Sequence, residues 1–441
     1  MTQVTLSQML DAREKRAEKQ KNLLCRFNLP LISFTMNIAG PVKTSPLIER
    51  SFFEGVRLLK QKLPGGSIIN QEICTGVTGC EAFFCVKCDP DKLKKICLFI
   101  EENVTIGRLF DMDVICPDGN KLERKNPRSC YVCGAPGRAC SAGRVHSVDK
   151  LQNAAREIME NYFFLMDKEY CSSLAVKSLL DEVGTTPKPG LVDTLNSGSH
   201  NDMDIVTFQK SAHALKPYFG ECFSIGKNSQ TLSPGETFPL LQSAGFDAEK
   251  AMFNATGGVN THKGIIYSMG VLCGSIGRLW RPETPFSTAS DICRESAKIV
   301  KDAVQKDFDN PDDSTAGGRL YLKHGITGIR GEVASGFESV LKTGLPCYKK
   351  LISENFSSND AGAITLLYLI SNVKDTNLYN RGGMSGADFA QKITKKLLKD
   401  FPAPSKEQIK SLDDEFIKKN LSPGGCADLL AITYFLYNFE T

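Results

Sequence analysis

The sequence lacks several features that would place the protein in a membrane or on nucleic acid. No apolar run approaches the ~20 residues that a membrane-spanning helix needs. The N-terminus mixes acids with bases and has no apolar block of the secretory-signal kind. Net charge is also small, since 54 Lys and Arg stand against 50 Asp and Glu to leave +4 at pH 7. We therefore expect a cytoplasmic protein that binds neither membrane nor nucleic acid.

The sequence also has no Gly/Ser-rich linker and no internal repeat at a fixed period. At 441 residues it is nevertheless too long for one ordinary core. Its apolar fraction of 41% and charged fraction of 24% are typical of a globular protein. We predict two domains, 1–160 and 161–441, from the change in pattern described below.

The sequence is rich in cysteine, and one segment near its start is rich in lysine and arginine. Sixteen cysteines in a chain of this length predict mostly reduced thiols and not a disulfide framework. The basic segment from Arg13 to Lys21 alternates with Glu14 and Glu18 in a helical register, which predicts a solvated helix face.

The first half has the pattern of a small α+β domain. After a polar first helix, its strands and helices follow the order β, α, β, β, α, β, which indicates one sheet. The predicted elements are a strand between Pro30 and Gly40, a helix from Pro46 to about Leu63, strands at 67–74 and 81–87, a helix from Pro90 to Glu101 and a strand from Gly107 to Ile115.

The last of these strands carries the first chemical signal. Residues two apart on a strand project from the same face, so Asp111 and Asp113 present paired carboxylates while Met112 and Val114 pack. Two such carboxylates suit Mg²⁺ carrying a polyphosphate. The alternative is a solvent-facing strand edge.

A cysteine-rich stretch follows this strand. Cys130, Cys133, Cys140 and His146 have the spacing C-x2-C-x6-C-x5-H, and four such ligands on short loops can close a tetrahedral zinc site. The spacing matches none of the commonest zinc signatures, so scattered free thiols are the alternative. Nearby arginines could instead grip phosphates. They are Arg128, Arg138 and Arg144.

The first half resembles the citrate lyase holo-acyl-carrier-protein synthases through PLISFTMNIAGPVKTS, GRLFDMDV and the RSCYVC…C…H tail. The resemblance implies a nucleotidyltransferase-like domain that moves a phosphoribosyl-dephospho-CoA group from its triphosphate precursor to a serine of the lyase's acyl carrier subunit, with release of pyrophosphate. It also implies that Gly107, Arg108, Asp111 and Asp113 form a metal-assisted site like that of the polymerase-β type.

The second half predicts an all-α domain, beginning with helices from Val148 to Met166 and from Glu169 to Val183. Its first polar loop fixes Lys188 between two prolines. Ser199 with Asp202 resembles a capping box, which would place three candidates in the first turns of a helix. These candidates are His200, Asp202 and Asp204. A single acid at this position could simply be stabilised by the helix dipole, but the density of charged residues here favours a functional site.

Four later loops have the same character, with small residues beside acids and bases. Asn260 and Thr261 can cap a helix whose first turn, with His262 and Lys263, suits a phosphate, and whose apolar body should be central and buried. Arg381 could equally be part of a helix C-cap and Asp428 a dipole partner. The remaining loop candidates are Arg330, Glu332 and Asp375.

Across nearly its whole length the second half resembles the triphosphoribosyl-dephospho-CoA synthases, through PKPGLVD, GSHNDMD, NTHKG, RGE, DTNLYNRGG and SPGGCADLLA in order. The family's reaction joins the 2′-hydroxyl of dephospho-CoA to C1′ of the ATP ribose and expels adenine. Such glycosyl transfer needs carboxylates near C1′, and the triphosphate needs Mg²⁺ and cations. The proposed metal-holding or base carboxylates are Asp202, Asp204 and Asp375, with Glu332 as a further acid or base. The proposed substrate contacts are Lys188, His200, Asn260, His262, Lys263, Arg330, Arg381 and Asp428.

The two resemblances support each other, because the product of the second half is the donor used by the first. They imply a bifunctional transferase that uses ATP and dephospho-CoA and acts on the citrate lyase acyl carrier subunit. One alternative is the equivalent malonate decarboxylase system. Another is a synthase fused to a non-catalytic, zinc-stabilised module that only docks the carrier.

Overall fold

The structure is a computed structural model that describes residues 2–284 and 287–440. The chain divides into two compact units. Within the described ranges, unit 1 holds residues 2–166 and 282–284, and unit 2 holds residues 167–281 and 287–440. No helix in these ranges is long and apolar enough to cross a membrane. All sixteen cysteines are free thiols, as predicted.

Unit 1 is the predicted α+β domain with one sheet. Its four strands lie in the order β2-β3-β1-β4 with antiparallel neighbours, the arrangement of a βαββαβ split motif. The elements are α1 (Leu6–Phe27), β1 (Leu31–Met36), α2 (Pro46–Lys62), β2 (Ile68–Cys74), β3 (Glu81–Val86), α3 (Pro90–Asn103), a 3₁₀ turn (Thr105–Leu109), β4 (Phe110–Ile115) and α4 (Gly137–Ala142).

The predicted strand from Gly107 to Ile115 begins three residues late, because its first part forms the 3₁₀ turn. Gly107 allows that turn to lie against α3, since a Cβ there would stand 2.1 Å from the carbonyl oxygen of Ile100. From Phe110 onward the predicted alternation is present, with Met112 buried and Asp111 partly exposed. The paired carboxylates therefore share a face, as predicted.

Helix α1 covers the sheet face that carries these carboxylates. Leu24 belongs to a core cluster with Leu31 and Phe83. Earlier on α1, Arg16 donates to Glu81 over 2.7 Å. The prediction of a solvated face for Arg13 to Lys21 is therefore wrong at Arg16, whose side chain is only 24% exposed.

Within its described residues, unit 2 consists of helices joined by loops and has no strand, as predicted. Its helices are α5 (Val148–Gly184, whose first part belongs to unit 1), α6 (Ile205–Ala214), α7 (Lys216–Asn228), α8 (Pro234–Thr256), α9 (Lys263–Leu279), α10 (Ala289–Asp309), α11 (Ala316–His324), α12 (Gly328–Ala334), α13 (Leu345–Ser353), α14 (Ser358–Asn372), α15 (Thr376–Asp400), α16 (Lys406–Lys418) and α17 (Gly424–Glu440), with a π-helical turn at Val340–Gly344.

Two predicted boundaries in unit 2 are wrong. The helices predicted on either side of Asp167 are one helix, α5, since residues 160–172 contain no proline or glycine that would end it. Within this helix Asp167 is buried and accepts a 2.7 Å hydrogen bond from the indole of Trp280. The helix predicted to begin near Ser199 begins at Ile205, where Asp204 is the N-cap. Its carboxylate accepts from the backbone N–H of Thr207 over 2.8 Å.

The prediction of a central, buried helix after Asn260 is confirmed by α9. Its glycines let α7 approach its backbone, since a Cβ on Gly277 would stand 2.0 Å from the carbonyl oxygen of Phe223. The N-terminus of α9 faces the polar loops described below.

Candidate active sites

Unit 1 contains a cavity of about 1260 Å³ beside β4. Asp111 and Asp113 lie on its wall because β4 buries the residues that alternate with them. Most of the other charged residues on the wall are cationic, which suits a polyphosphate. The cationic residues are Lys94, Arg108, Lys121, Arg124, Lys125, Arg128, Arg138 and Arg144, and Glu123 is a further acid on this wall.

A buried glutamate organises this wall. Glu101, at the end of α3, accepts from the backbone N–H of Met112 over 2.8 Å and pairs with both Arg124 and Arg128. Arg128 in turn lies 3.2 Å from Asp111. Glu101 thus holds a cation beside the candidate metal ligand. Sequence reasoning missed Glu101, although an acid on the apolar face of a helix was a usable signal.

The other predicted residues of this site differ in their surroundings. Asp113 forms a 2.5 Å ion pair with Lys121. Arg108 lines the cavity and donates to the carbonyl oxygen of Ser129 over 2.6 Å. Gly107 is buried against α3, so its contact is with the helix and not with the cavity.

The predicted cysteine and histidine cluster is assembled in unit 1. The ligand atoms of Cys130, Cys133, Cys140 and His146 all lie within 4.8 Å of one another. The Sγ atoms of Cys133 and Cys140 are 3.4 Å apart, and His146 Nε2 is 3.2 Å from Cys133 Sγ. Zn–S bonds of ~2.3 Å in a tetrahedron would separate sulfurs by roughly 3.8 Å, so small shifts would let the cluster hold a metal.

Unit 2 contains a cavity of about 990 Å³ that is lined by residues from six polar stretches of the second half. These stretches are PKPGLVD, GSHNDMD, NTHKG, RGE, DTNLYNRGG and SPGGCADLLA. Every candidate predicted from these stretches lines it, apart from Asp202 and Asp204. Those that do are Lys188, His200, Asn260, His262, Lys263, Arg330, Glu332, Asp375, Arg381 and Asp428. Glu182 also lines it and was missed, because nothing in the local sequence separates it from the neighbouring Asp181.

Lys188 and Glu182 form a buried ion pair at this wall. The ammonium donates to Glu182 Oε1 over 2.5 Å and to the Glu182 carbonyl oxygen over 2.7 Å, and the two side chains are 1% and 8% exposed. Burial raises the pKa of Glu182, and the Lys188 ammonium limits that rise. Each charge therefore depends on the other.

Asp375 and Asp428 lie close together but have different partners. Asp375 is the N-cap of α15 and accepts from the N–H groups of Asn377 and Cys426, each over 2.7 Å. The Asp428 carboxylate has no hydrogen bond or ion pair within residues 2–284 and 287–440. Burial, then Glu182 and Asp375, raise the pKa of Asp428 well above its ordinary value. Asp428 is thus available for a ligand.

His262, Asn260 and Lys263 surround the start of α9. His262 Nδ1 lies 2.7 Å from the Ser211 hydroxyl, and burial followed by the Lys188 charge lowers the pKa of His262 to about 3. The imidazole is therefore neutral. Asn260 accepts from the Lys263 N–H over 3.2 Å, in partial agreement with the predicted cap, while the Lys263 ammonium pairs with Glu249 at 3.0 Å.

On another part of the wall, Arg381 and His200 contact each other. Arg381 donates to the carbonyl oxygen of Ser199 over 2.6 Å and lies 3.1 Å from His200 Nδ1. His200 Nε2 lies 2.8 Å from the Ser422 hydroxyl. Burial and then Arg381 lower the pKa of His200, so a neutral ring accepts from Arg381 and donates to Ser422.

Arg330 and Glu332 flank the cavity on α12. Arg330 pairs with Asp307 at 2.8 Å. Glu332 accepts from the backbone N–H and the hydroxyl of Ser339 over 2.8 and 2.9 Å, and burial raises its pKa. A carboxyl group in this state can carry a proton near neutral pH.

Asp202 and Asp204 are placed differently from the other candidates. The Asp202 side chain is 63% exposed and lies 3.9 Å from His200. Asp204 is exposed, and its carboxylate caps α6. Neither lines the cavity.

Comparison with known proteins agrees with this division of the chain. The family model described as "ATP:dephospho-CoA triphosphoribosyl transferase" matches residues 168–441, and that described as "Apo-citrate lyase phosphoribosyl-dephospho-CoA transferase" matches residues 4–162. A protein of Haemophilus influenzae called CitXG is 34% identical over all of this chain and 97% of its own length. CitXG of Leuconostoc mesenteroides subsp. cremoris is 31% identical over 98% of this chain and 97% of its own length.

A shorter relative covers the second half alone. The "probable 2-(5''-triphosphoribosyl)-3'-dephosphocoenzyme-A synthase" of Photobacterium profundum is 42% identical over 60% of this chain and 85% of its own length. The chain therefore belongs to the CitXG family of bifunctional transferases, which make triphosphoribosyl-dephospho-CoA from ATP and dephospho-CoA and transfer the prosthetic group to citrate lyase.

Proposed function

We propose that the unit 2 cavity joins the 2′-hydroxyl of dephospho-CoA to C1′ of the ATP ribose and releases adenine. The observation that carries this proposal is the convergence of six separate polar stretches on one cavity. The triphosphate remains on the ribose, so cations on the wall must hold it. We assign this contact to Lys263, Arg330 and Arg381, which are exposed. Lys188 is engaged with Glu182 and positions it.

The carboxylates of this cavity have different proposed roles. The Asp428 side chain has no partner in the described residues, and burial favours its protonated form. Mg²⁺ bound beside it would favour the ionised carboxylate, so Asp428 is our candidate to hold Mg²⁺ or, once ionised, to take the proton of the attacking hydroxyl. Bound Mg²⁺ would neutralise triphosphate charge. Glu332, whose pKa is raised, is our candidate to protonate the departing purine. Asp375 positions the start of α17 through Cys426. Asp202 and Asp204 receive no role in the chemistry because they lie off the cavity wall.

The experiment for this proposal follows the fate of ATP. Purified protein with ATP, dephospho-CoA and Mg²⁺ should release adenine. Formation of ADP instead would indicate a kinase and overturn the glycosyl-transfer proposal.

For unit 1 we propose nucleotidyl transfer of the polymerase-β kind to a serine of the acyl carrier subunit. The serine oxygen bonds to the phosphorus next to the ribose, the bond from that phosphorus to the outer diphosphate breaks, and pyrophosphate leaves with the bonding electrons. The observation that supports this is the pair Asp111 and Asp113 on the wall of a cationic cavity. These carboxylates would hold Mg²⁺, which would neutralise the leaving group.

The test for unit 1 uses unit 2 as an internal control. Asp111→Asn and Asp113→Asn should each leave the carrier unlabelled while adenine release continues. Wild-type labelling by the double variant would remove both residues from the site and favour a unit that only docks the carrier. Loss of adenine release as well would point to general misfolding.

We further propose that the metal of the cysteine and histidine cluster is a structural Zn²⁺. The cluster has only sulfur and imidazole ligands, which zinc prefers to the hard oxygen donors of Mg²⁺. Protein purified under reducing conditions should contain about one zinc per chain, and Cys133→Ser should lower that content. Cys25→Ser is the matched control, since Cys25 is an exposed free thiol outside the cluster. Absence of stoichiometric zinc in the wild type would show that the three cysteines are free thiols and that His146 binds no metal.

A further inference from the structure

A second, smaller cavity lies next to Asp111 in unit 1. Its volume is about 180 Å³, and its cationic residues are Arg13 and Arg16 of α1 and Lys43 of the loop after β1. Asn37 and Asp111 line both this cavity and the larger one, so the two meet at the candidate metal ligand. We call the smaller cavity the α1 pocket.

The fold of α1 explains how basic residues reach this position. In the sheet, Thr35 of β1 pairs with Glu81 on one side and with Asp111 on the other. Arg16 lies over this row, because its guanidinium bonds to Glu81 at 2.7 Å. Arg13 precedes Arg16 by three residues and so lies on the same side of the helix, one turn nearer the end of β1.

The charges of the α1 pocket are not balanced internally. Of the two acids on its wall, Glu81 compensates Arg16, and Asp111 pairs with Arg128 of the larger cavity. The Arg13 guanidinium has no hydrogen-bond or ion-pair partner in the described part of the chain, and the Lys43 ammonium donates only to the carbonyl oxygen of Ile38 over 2.5 Å. Burial lowers the pKa of Lys43, and the nearby charge of Arg13 lowers it further. Arg13 is exposed to solvent, whereas Lys43 is partly buried beside it, so a bound anion would offset the desolvation of Lys43 and the repulsion between the two cations.

The size of the α1 pocket restricts the anion. A volume of about 180 Å³ equals roughly six water molecules. That space suits the nine heavy atoms of a diphosphate but not a nucleoside. The diphosphate link inside dephospho-CoA carries large groups at both ends, so a terminal diphosphate fits better.

We propose that the α1 pocket binds the outer diphosphate of the triphosphate donor, the group that leaves as pyrophosphate. The proposal rests on the transfer reaction assigned to unit 1. In that reaction the new bond joins the serine oxygen to the inner phosphorus, the broken bond frees the diphosphate with its electron pair, and the serine proton is released to water. The larger cavity then holds the dephospho-CoA part, and Asp111 lies where the two parts join.

The test uses the full chain, supplied with purified triphosphate donor and no ATP. It measures how strongly inorganic pyrophosphate inhibits labelling of the carrier. Arg13→Ala should raise the inhibition constant of inorganic pyrophosphate at least about 10-fold, as expected for loss of a charged hydrogen bond. The matched control is Lys15→Ala, which removes the same charge from an exposed position of α1 outside the pocket. Its inhibition constant should stay within about twofold of the wild type, because it loses only a screened long-range charge.

Inhibition by dephospho-CoA separates the two possible sources of a diphosphate. The inhibition constant of dephospho-CoA should be unchanged in both variants. If dephospho-CoA inhibited Arg13→Ala more weakly than Lys15→Ala, the pocket would bind the diphosphate link of dephospho-CoA, and the proposal would be overturned. Equal pyrophosphate inhibition of Arg13→Ala and wild type would also overturn it. If the wild type labels no carrier, the transfer proposal fails, and calorimetric binding of pyrophosphate to wild type and Arg13→Ala still decides what the pocket binds.

Discussion

At the scale of single residues, the carboxylates of unit 2 differ more in their partners than in their sequence context. Asp204 and Asp428 both lie near the N-termini of helices, and both could interact favourably with a helix dipole. Asp204 is exposed and bonded to Thr207, whereas Asp428 is enclosed on the cavity wall and has no partner among the described residues. Hydrogen bonding and burial therefore separate a capping residue from a candidate catalytic one.

This difference predicts opposite results for two chemically identical changes. Asp428→Asn should lower adenine release by about 100-fold or more, because a proton acceptor or metal ligand is lost. Asp204→Asn should leave the rate within about twofold, because asparagine is also a good N-cap. Steady-state adenine release and thermal unfolding of both variants measure this. A large rate loss in Asp204→Asn with unchanged stability would restore Asp204 to the site.

His262 gives a pH prediction. Its pKa is about 3 when folded and about 6.5 when unfolded, so the unfolded chain binds an extra proton below pH 6.5. Stability should therefore fall as the pH drops from 6.5, by about 2 kcal/mol at pH 5 from this residue alone. Urea unfolding at pH 7.5 and pH 5 should show a smaller loss for His262→Gln than for wild type. Equal losses would contradict the assignment of a neutral, buried ring.

At the scale of elements, sequence patterns predicted which helices and strands exist better than where they end. The strands of unit 1 and the buried helix α9 follow from periodicity that local residues set. The hydrogen-bond partner of the buried Asp167 in α5 is Trp280, which is more than a hundred residues away. Likewise, the partners of Glu101 and the position of Arg13 over β1 depend on tertiary packing. Local sequence does not contain that information.

The contact between α7 and α9 tests the packing of unit 2. Gly277→Ala would place a Cβ 2.0 Å from a backbone oxygen of α7, so it should destabilise the protein by about 2 kcal/mol or more. Gly317→Ala is the control, because Gly317 lies in α11 with open space around it and alanine favours a helix by about 0.5 to 1 kcal/mol. Urea unfolding compares them. Equal stability of the two variants would show that α7 and α9 do not approach so closely.

At the scale of the whole molecule, the two cavities belong to different units. Residues 94–151, with Asn37, line the larger cavity of unit 1, and residues 179–431 contribute to that of unit 2. No residue in the described ranges lines both cavities. The sequence motifs predicted this division of chemistry, although the boundary near 160 remains a prediction. The boundary between the two compact units lies between Met166 and Asp167, inside α5.

Separate cavities predict that two inactive chains complement each other. Asp111→Asn protein should make the triphosphate donor but not use it, and Asp428→Asn protein should use supplied donor but not make it. A mixture given ATP, dephospho-CoA and apo-carrier should label the carrier after a lag, because donor released by one chain must reach the other by diffusion. The lag should lengthen on dilution of both proteins, whereas the wild type should show little change. Carrier mass against time is the measurement. If each variant performs its own half-reaction but the mixture labels nothing, the donor does not leave the chain that makes it, and the two sites must act within one molecule.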